Sequence, residues 1–135
     1  MADAEAVAGL LAELGYPMSV GDAANRVRAF ADTPGHIMLV VEIDRCAVAF
    51  LAGHIAELAG AVARYGVVSS LAVTEARRRQ GLGTRLLEAF EAWVRDQGGK
   101  LVRVTARAHR TEDAHRFYPA IGYEKTGYRF EKRLT

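Results

Sequence analysis

The sequence predicts a single α/β domain in which helices flank one central sheet. Its 135 residues are enough for one domain with a substantial core. Apolar residues recur at helical spacing in some segments and form short strand-like runs in others. Turns rich in glycine and proline separate these segments, and no linker, repeat or low-complexity tract divides them. We therefore expect one domain over residues 1–135.

The first half of the chain predicts two helices followed by a β-hairpin. Apolar residues at helical spacing place the first helix over roughly residues 3–14. Ser19 followed by Asp22 is typical of a cap that begins a second helix. The apolar side of that helix is expected to contain Val20, Ala24, Val27 and Phe30. The segments HIMLVVEI (36–43) and CAVAFLAGHI (46–55), joined by a DR turn, predict a buried strand and a second strand.

The second half of the chain alternates strands with helices. A third strand is expected over VVSSLAV (67–73), and a third helix runs from Gly81 to the glycine pair 98–99. The buried side of this helix is expected to contain Leu82, Leu86, Phe90, Trp93 and Val94. The remaining elements are a fourth strand in LVRVTARA (101–108), a fourth helix from TEDAHRFY (111–118) and two closing strands in GYEKTGYRFEKRL (122–134).

Composition excludes several classes of protein. Half of the residues are hydrophobic and a quarter are charged, as in an ordinary soluble globular domain. No run of about 18 apolar residues is present to span a membrane, and the acidic N-terminus does not resemble a signal peptide. Cys46 is the only cysteine, so a disulfide framework and a cysteine-based metal site are excluded. We expect a cytoplasmic protein without a bound metal.

The net charge of +2 conceals an uneven distribution. Residues 1–74 carry four arginines and eight acids, whereas residues 75–135 carry fourteen basic residues and eight acids. The positive half begins at the turn RRRQGLGT (77–84), which favours a localised anionic ligand over a general attraction to nucleic acid. A solvated charged face is the alternative explanation of the charge alone. No pattern of aromatic and basic surface residues indicates a nucleic-acid module.

This turn stands between a predicted strand and the N-terminus of a predicted helix. The first turn of a helix presents unpaired backbone N–H groups and a positive dipole end. Gly81 and Gly83 let a phosphate approach the backbone without a Cβ in the way, and Arg77–Arg79 add positive charge. The pattern therefore predicts a pyrophosphate site, with a glycine-containing surface turn as the structural alternative. A nucleotide P-loop and a dinucleotide fingerprint are excluded, because they need Gly-Lys-Ser/Thr and a third glycine respectively.

Two segments resemble the GNAT superfamily of N-acetyltransferases. SSLAVTEARRRQGLGTRLL (69–87) is similar to the acyl-CoA motif of that family, with Arg78, Gly81 and Gly83 at its R-x-x-G-x-G positions. AHRFYPAIGYEKTGYRFEKRL (114–134) is similar to its A-x-x-F-Y-x-x-x-G-Y segment. The matching residues there are Ala114, Phe117, Tyr118, Gly122 and Tyr123. The resemblance implies a mixed, mostly antiparallel sheet that is flanked by about four helices and splayed between the third and fourth predicted strands.

The resemblance also implies an enzyme that transfers an acetyl group from acetyl-CoA to a primary amine of a small molecule or a peptide. Leu71, Ala72 and Val73 would pair with the pantetheine arm, and the amide near Leu71 would polarise the thioester carbonyl. Tyr118 would protonate the departing thiolate. The pyrophosphate would be held by backbone amides of Arg78, Arg79, Gln80, Gly81, Leu82, Gly83 and Thr84. Direct attack by the amine needs no covalent enzyme intermediate.

The chain departs from the family pattern in two strands. Family members usually begin with a strand, whereas here the first predicted helix starts almost at Met1. The missing strand would leave the strand at 36–43 as an open edge, which suggests a homodimer, or it would reflect a truncated chain. Many members carry a glutamate in the third strand, where this chain has Ser69 and Ser70. The reaction then uses another base, an ordered water or no base; the candidate bases are His54, His109 and Glu57.

Two smaller departures concern the C-terminal motif. Thr111 stands near the place where the family often has an asparagine that contacts pantetheine, and threonine is shorter. Pro119 directly follows Tyr118 and disfavours helical dihedrals there, which predicts a kink in the fourth helix at the proposed acid. The alternative function is a non-catalytic regulatory domain that binds acyl-CoA, and the missing glutamate favours it.

Overall fold

The computed structural model describes residues 19–44, 46–57, 64–104, 117–126 and 130–134. Its elements are α1 (Val20–Asp32), β1 (His36–Ile43), β2 (Cys46–Glu57), β3 (Arg64–Val73), a 3₁₀ turn (Glu75–Arg77), α2 (Leu82–Asp96) and β4 (Val102–Val104). The strands form one sheet in the order β1-β2-β3-β4, antiparallel except for the parallel pair β3-β4. The predicted mixed, mostly antiparallel sheet is therefore confirmed. The chain divides into two compact units, Met1–Val104 and Thr105–Thr135, and the single domain stays a prediction.

Helix α1 begins at the cap that the sequence predicted. Ser19 has an extended backbone, and its Oγ accepts a hydrogen bond from the backbone N–H of Asp22 at 3.1 Å. The predicted apolar side is only partly correct. Ala23 is completely buried, whereas Val20 is 50% exposed, and its neighbours Gly21 and Asp22 at the start of the helix are exposed too. The first predicted helix, at 3–14, lies outside the described residues.

Strands β1 and β2 form the predicted hairpin, and β1 has the bounds predicted from HIMLVVEI. β1 is half-buried rather than buried, because it is the outermost strand of the described sheet and pairs there only with β2. A β-bulge interrupts the hairpin: Val41 pairs with Ala49 and Glu42 pairs with Ala47. One residue of β2 is therefore left without a partner. The resulting shift places His36 opposite His54.

Helices α1 and α2, the two helices described within residues 19–104, cover opposite faces of the sheet. Phe50 and Ala52 of β2 belong to a core cluster that packs against Val27 and Phe30 of α1. The next residue of β2, Gly53, faces the Phe90 ring of α2. Because successive residues of a strand point to opposite faces, α1 and α2 lie on different sides of β2.

Helix α2 is held to the sheet by an apolar stripe and by two strand glycines. Its buried residues are Leu82, Leu86, Leu87, Phe90 and Val94. A Cβ on Gly53 would lie 2.5 Å from the Phe90 ring, and a Cβ on Gly66 would overlap Val94. The helix can approach β2 and β3 this closely only because both strand positions lack a side chain. Trp93, predicted to be buried, is partly exposed and stacks on Phe90 at 5.6 Å.

The described part of the fourth predicted strand is short. Residues 102–104 of β4 pair in parallel with residues 66–68 of β3. Residues 105–108 lie outside the described residues, so the splay between β3 and the fourth strand stays a prediction. The missing first strand also stays a prediction, because it concerns residues 1–18, which the structure does not describe.

In the C-terminal unit, residues 117–120 are helical and a turn follows at 121–122. The two predicted closing strands are wrong for residues 123–126 and 130–134, none of which is in a strand. Phe130 in this stretch is 92% exposed. An alternation of apolar and polar residues suits a pleated, half-buried surface, and it yields a strand only where a neighbouring strand and a core provide that surface.

Candidate active site

The residues predicted to meet the pantetheine arm lie at the C-terminal end of β3. Leu71, Ala72 and Val73 pair with Leu51, Phe50 and Ala49 of β2. Ala72 is 6% exposed and belongs to the core cluster, so its side chain does not reach a ligand. The described pairs between β3 and β4 end at Val68. Contact between a ligand and the backbone of β3 beyond that point stays a prediction, because residues 105–108 lie outside the described residues.

A compact turn joins β3 to α2. The backbone N–H of Thr74 donates to the carbonyl of Val48 at 2.8 Å, and the N–H of Arg77 donates to the carbonyl of Thr74 at 2.9 Å. The Arg78 side chain bends back, and its Nε donates to the carbonyl of Val73 at 3.3 Å. Arg78 therefore fastens the turn to the end of the strand, in addition to its predicted contact with phosphate.

The turn leaves open space at the N-terminus of α2. Gly81 is the N-cap, has a φ of +77° and provides no side-chain cap. Apart from Gly81, its chain neighbours and the backbone of the adjoining helical turn, no atom of the described residues lies within 4 Å of the position that a Cβ on Gly81 would occupy. The first helical hydrogen bond runs from the N–H of Arg85 to Gly81 at 3.1 Å, so the amides of residues 82–84 precede the helical ladder. Leu82 is 7% exposed and can therefore contact a ligand only through its backbone.

Tyr118, the predicted acid, lies in the C-terminal unit. Its ring packs edge-on against Phe117 at 5.0 Å and against Tyr123 at 5.7 Å between centroids. Its carbonyl accepts hydrogen bonds from the N–H groups of Ile121 and Tyr123 at 3.2 and 2.9 Å. Burial raises the pKa of the Tyr118 hydroxyl, which therefore stays protonated at neutral pH. Pro119 lies within the helical residues 117–120, and the predicted kink stays a prediction because residues 111–116 lie outside the described ones.

Of the candidate bases, the structure places His54 in a polar cluster and Glu57 in an ion pair. His54 stacks on His36 with ring centroids 5.1 Å apart, and its Nδ1 lies 3.4 Å from Ser69 Oγ. Glu57 is exposed and pairs with Arg64 at 3.2 Å. His109 and Thr111 lie outside the described residues. Sequence reasoning missed His36, because only the bulge in the hairpin brings it opposite His54.

Comparisons with known proteins agree with this arrangement of strand, turn and helix. The chain is 36% identical over 69 residues to the aminoalkylphosphonate N-acetyltransferase of Salmonella typhimurium; the match covers 51% of this chain and 44% of that relative. A GNAT family acetyltransferase of Staphylococcus aureus shares its fold with a TM-score of 0.82 at 18% identity, covering 96% of this chain and 88% of that one. The aminoglycoside N-acetyltransferase AAC(6')-Iy, crystallised with CoA, matches with a TM-score of 0.83 at 16% identity, over 96% and 87% of the two chains.

The sequence profile of the Acetyltransferase (GNAT) family matches residues 10–123 of this chain. The matched region includes the turn at Arg78–Thr84 and the segment that carries Tyr118. The chain therefore belongs to the GNAT family of acetyltransferases, as its motifs predicted. Among the helices that the structure describes, none is long and apolar enough to cross a membrane.

Proposed function

We propose that this protein transfers the acetyl group of acetyl-CoA to a primary amine of a small molecule or a peptide. The open turn at the N-terminus of α2 carries this proposal. Gly81 leaves space beside the cap, and Arg79 is exposed next to it. Backbone amides that precede the helical ladder suit a pyrophosphate, because they combine unpaired N–H donors with the positive end of the helix dipole.

In the proposed reaction, the protein orients two substrates and manages charge. Acetyl-CoA supplies the activated acyl group, which the amine attacks directly. The backbone amide near Leu71 polarises the thioester carbonyl, which is the role of an oxyanion-hole donor. The buried hydroxyl of Tyr118, whose pKa is raised, protonates the sulfur that departs. No step needs a covalent intermediate or a metal.

Similar proteins suggest which acceptor amines to test first. The curated relative is named for aminoalkylphosphonates, and several structural neighbours are named for aminoglycosides. All of these are amines of small molecules. We therefore propose a small-molecule amine as the first choice of acceptor, and a peptide N-terminus as the second.

A panel of amines tests the proposal directly. Purified protein is incubated with acetyl-CoA and, separately, 2-aminoethylphosphonate, aminoglycosides, polyamines, amino acids and peptides, while the appearance of free thiol is followed. We expect at least one amine to accelerate thiol release and to appear as its N-acetyl product by mass spectrometry. The absence of amine-dependent release with the whole panel, together with tight binding of acetyl-CoA, would favour the regulatory domain. The alternative of a regulatory domain is retained because Ser69 and Ser70 stand where many members of the family carry a glutamate.

We expect Gly83→Ala to weaken acetyl-CoA binding by about tenfold or more, which corresponds to about 1.4 kcal/mol. The new Cβ would stand among the first-turn amides that meet the pyrophosphate. The same change removes a glycine from α2, so the free energy of unfolding should stay equal or rise by up to about 1 kcal/mol. Calorimetric titration with acetyl-CoA and urea unfolding measure the two effects.

Gly81→Val extends this prediction to the cap. Its Cβ would enter the open space beside the turn, and we expect weaker acetyl-CoA binding. Valine at a φ of +77° is strained, so this variant should also lose about 1–3 kcal/mol of stability. Unchanged affinity in both glycine variants, with the fold intact, would exclude this turn as the pyrophosphate site.

We also propose a homodimer in the cytoplasm. β1 is the outermost strand of the described sheet and is half-buried, and a second copy could cover the edge that no other described strand pairs with. The lone cysteine suits a reducing compartment. Light scattering at micromolar concentration should give twice the mass of the chain, and a monomer mass over the whole concentration range would contradict the assembly.

A further inference from the structure

Three polar side chains form a cluster on the sheet face that α1 covers, apart from the turn assigned to acetyl-CoA. His54 shares this face of β2 with Phe50 and Ala52, because alternate residues of a strand point the same way. His36 of β1 lies directly opposite His54, and their rings stack at 5.1 Å with 18° between planes. Ser69 of β3 approaches from the other side, with its Oγ 3.4 Å from His54 Nδ1. We call these three residues the histidine cluster.

Ser69 reaches His54 because it is the extra residue of a second β-bulge. Gly53 pairs with Val68 and Ala52 pairs with Ser70, so Ser69 has no partner residue on β2. A bulge increases the local twist and re-aims the side chain of the extra residue. Here it turns the Ser69 hydroxyl toward His54 and leaves Ser70 in register.

We propose that His54 is the general base that accepts a proton from the ammonium group of the acceptor; the inference rests on the proposed function. When Nδ1 donates its hydrogen to Ser69 Oγ, the lone pair of Nε2 is left to accept a proton. The ammonium passes one proton to Nε2, and the neutral amine forms its bond to the thioester carbonyl carbon. As the C–S bond breaks, nitrogen loses its second proton to water and the thiolate takes a proton from Tyr118, which water then reprotonates. His54 then returns its proton to water.

The surroundings of His54 favour the neutral imidazole that this step requires. Burial lowers the pKa of His54, and electrostatic repulsion from the neighbouring His36 ring lowers it further. His36 is itself fixed, because its Nδ1 donates to the carbonyl of Pro34 at 3.2 Å and its ring packs edge-on against Phe30 of α1. A neutral His54 can accept a proton at neutral pH, whereas a serine hydroxyl in the position of the usual glutamate cannot.

Other charged and titratable residues near the histidine cluster lie on β3, β4 and α1. β3 contributes Tyr65, and β4 contributes Arg103, whose guanidinium lies 4.6 Å from the centre of the Tyr65 ring. Arg103 is aligned with Val67, which in turn pairs with His54. The charged residues of α1 are all exposed: Asp22, Arg26, Arg28 and Asp32. Within the described residues, the neighbouring titratable group that perturbs the pKa of His54 is therefore His36.

The test compares His54→Gln with the control Asp96→Asn in steady-state kinetics, using acetyl-CoA and an acceptor from the panel. Asp96 is exposed at the C-terminal end of α2, away from the turn at the other end of this helix, and has no part in the proposed reaction. We expect His54→Gln to lower kcat/KM for the amine by about 10²-fold at pH 7. We expect Asp96→Asn to match the wild type, and acetyl-CoA affinity to be the same in all three proteins.

A fluorinated analogue of the acceptor separates a base from a structural residue. A trifluoromethyl group on the carbon that bears the amine lowers the pKa of the ammonium group below the pH of the assay, so that the amine is already neutral and needs no base. The loss in His54→Gln should then shrink to less than about tenfold. Burial lowers the pKa of His54, so we expect the acidic limb of the wild-type pH–rate profile below the usual pKa of histidine, and we expect this limb to disappear in the variant.

Each outcome decides between the two proposals. Wild-type rates in His54→Gln with both acceptors would overturn the role of His54 and leave the proposed function standing. An equal loss of kcat/KM with the acceptor and with its fluorinated analogue would also overturn the role of His54. A structural defect would lower the rate to the same extent whatever the pKa of the amine. No amine-dependent thiol release by the wild type would overturn the proposed function, and this inference with it.

Discussion

We expect the Tyr118→Phe variant to turn over about 10²-fold more slowly than the wild type while binding acetyl-CoA almost as tightly. The hydroxyl has one task in the proposed reaction, which is to protonate the sulfur that departs. The ring itself remains, so its contacts with Phe117 and Tyr123 should survive. Coenzyme A thiolate is a fairly good leaving group, which places the effect at the low end of general acid catalysis.

The prediction for Tyr118→Phe includes a specific change in the pH dependence of the rate. Burial raises the pKa of Tyr118, so the hydroxyl is protonated and able to act as an acid throughout the neutral range. The basic limb of the wild-type profile should therefore lie above the usual range of tyrosine and should be absent in Tyr118→Phe. Tyr123→Phe is the matched control, because it removes a hydroxyl from a neighbouring ring that has no part in the proposal.

Saturating amine and acetyl-CoA are used for the kinetics, and calorimetry measures affinity separately. The rate of Tyr118→Phe could instead stay within about threefold of the wild-type rate at every pH. This corresponds to a change of less than about 1 kcal/mol in the activation barrier, and it would remove Tyr118 from the mechanism. A tyrosine that served only the packing of the C-terminal unit would give that result.

The second large effect is expected at the glycines beneath α2. We expect Gly53→Ala to lower the free energy of unfolding by about 3 kcal/mol, the upper part of the range for overpacking. The new Cβ would lie 2.5 Å from the Phe90 ring and 2.8 Å from the backbone oxygen of Val67. A ring can shift, but the backbone of a paired strand cannot move without breaking the ladder.

Urea unfolding measures this loss of stability, and two further variants test whether steric overlap causes it. Gly21→Ala on α1 is the control, because the nearest atom to its Cβ is Ser19 Oγ at 3.8 Å; it should unfold at the same urea concentration or higher. Phe90→Leu combined with Gly53→Ala should cost less than the sum of the two single variants, because the smaller side chain relieves the overlap. Equal midpoints for Gly53→Ala and the wild type would contradict the close packing.

The elements that were predicted well are those with strong local signals. Ser19 and Asp22 identify the start of α1, since a cap is a contact over three residues. The apolar run of β1 and the stripe of α2 also gave correct positions, because burial of one face produces a regular period in the sequence. The turn between β3 and α2 was recognised for the same reason: its glycines and arginines are neighbours in the chain.

The histidine cluster could not be predicted, because it depends on two bulges. A regular hairpin closed by Ile43 and Cys46 would place Gly53, and not His54, opposite His36. The extra residue in β2 shifts the register by one and creates the pair, and the extra residue in β3 adds Ser69. Register is set by packing across strands, and neither bulge has a distinct signal in the sequence.

The β3 bulge makes position 69 independent of the rest of the strand. Deleting Ser69 would leave Val68 opposite Gly53 and Ser70 opposite Ala52, so every other side chain would keep its face and its partner. The residue at this position can therefore be replaced or deleted without remaking the core. Under the inference above the proton acceptor stands on β2, so a change at position 69 would alter the hydrogen-bond partner of His54 while the sheet keeps its register.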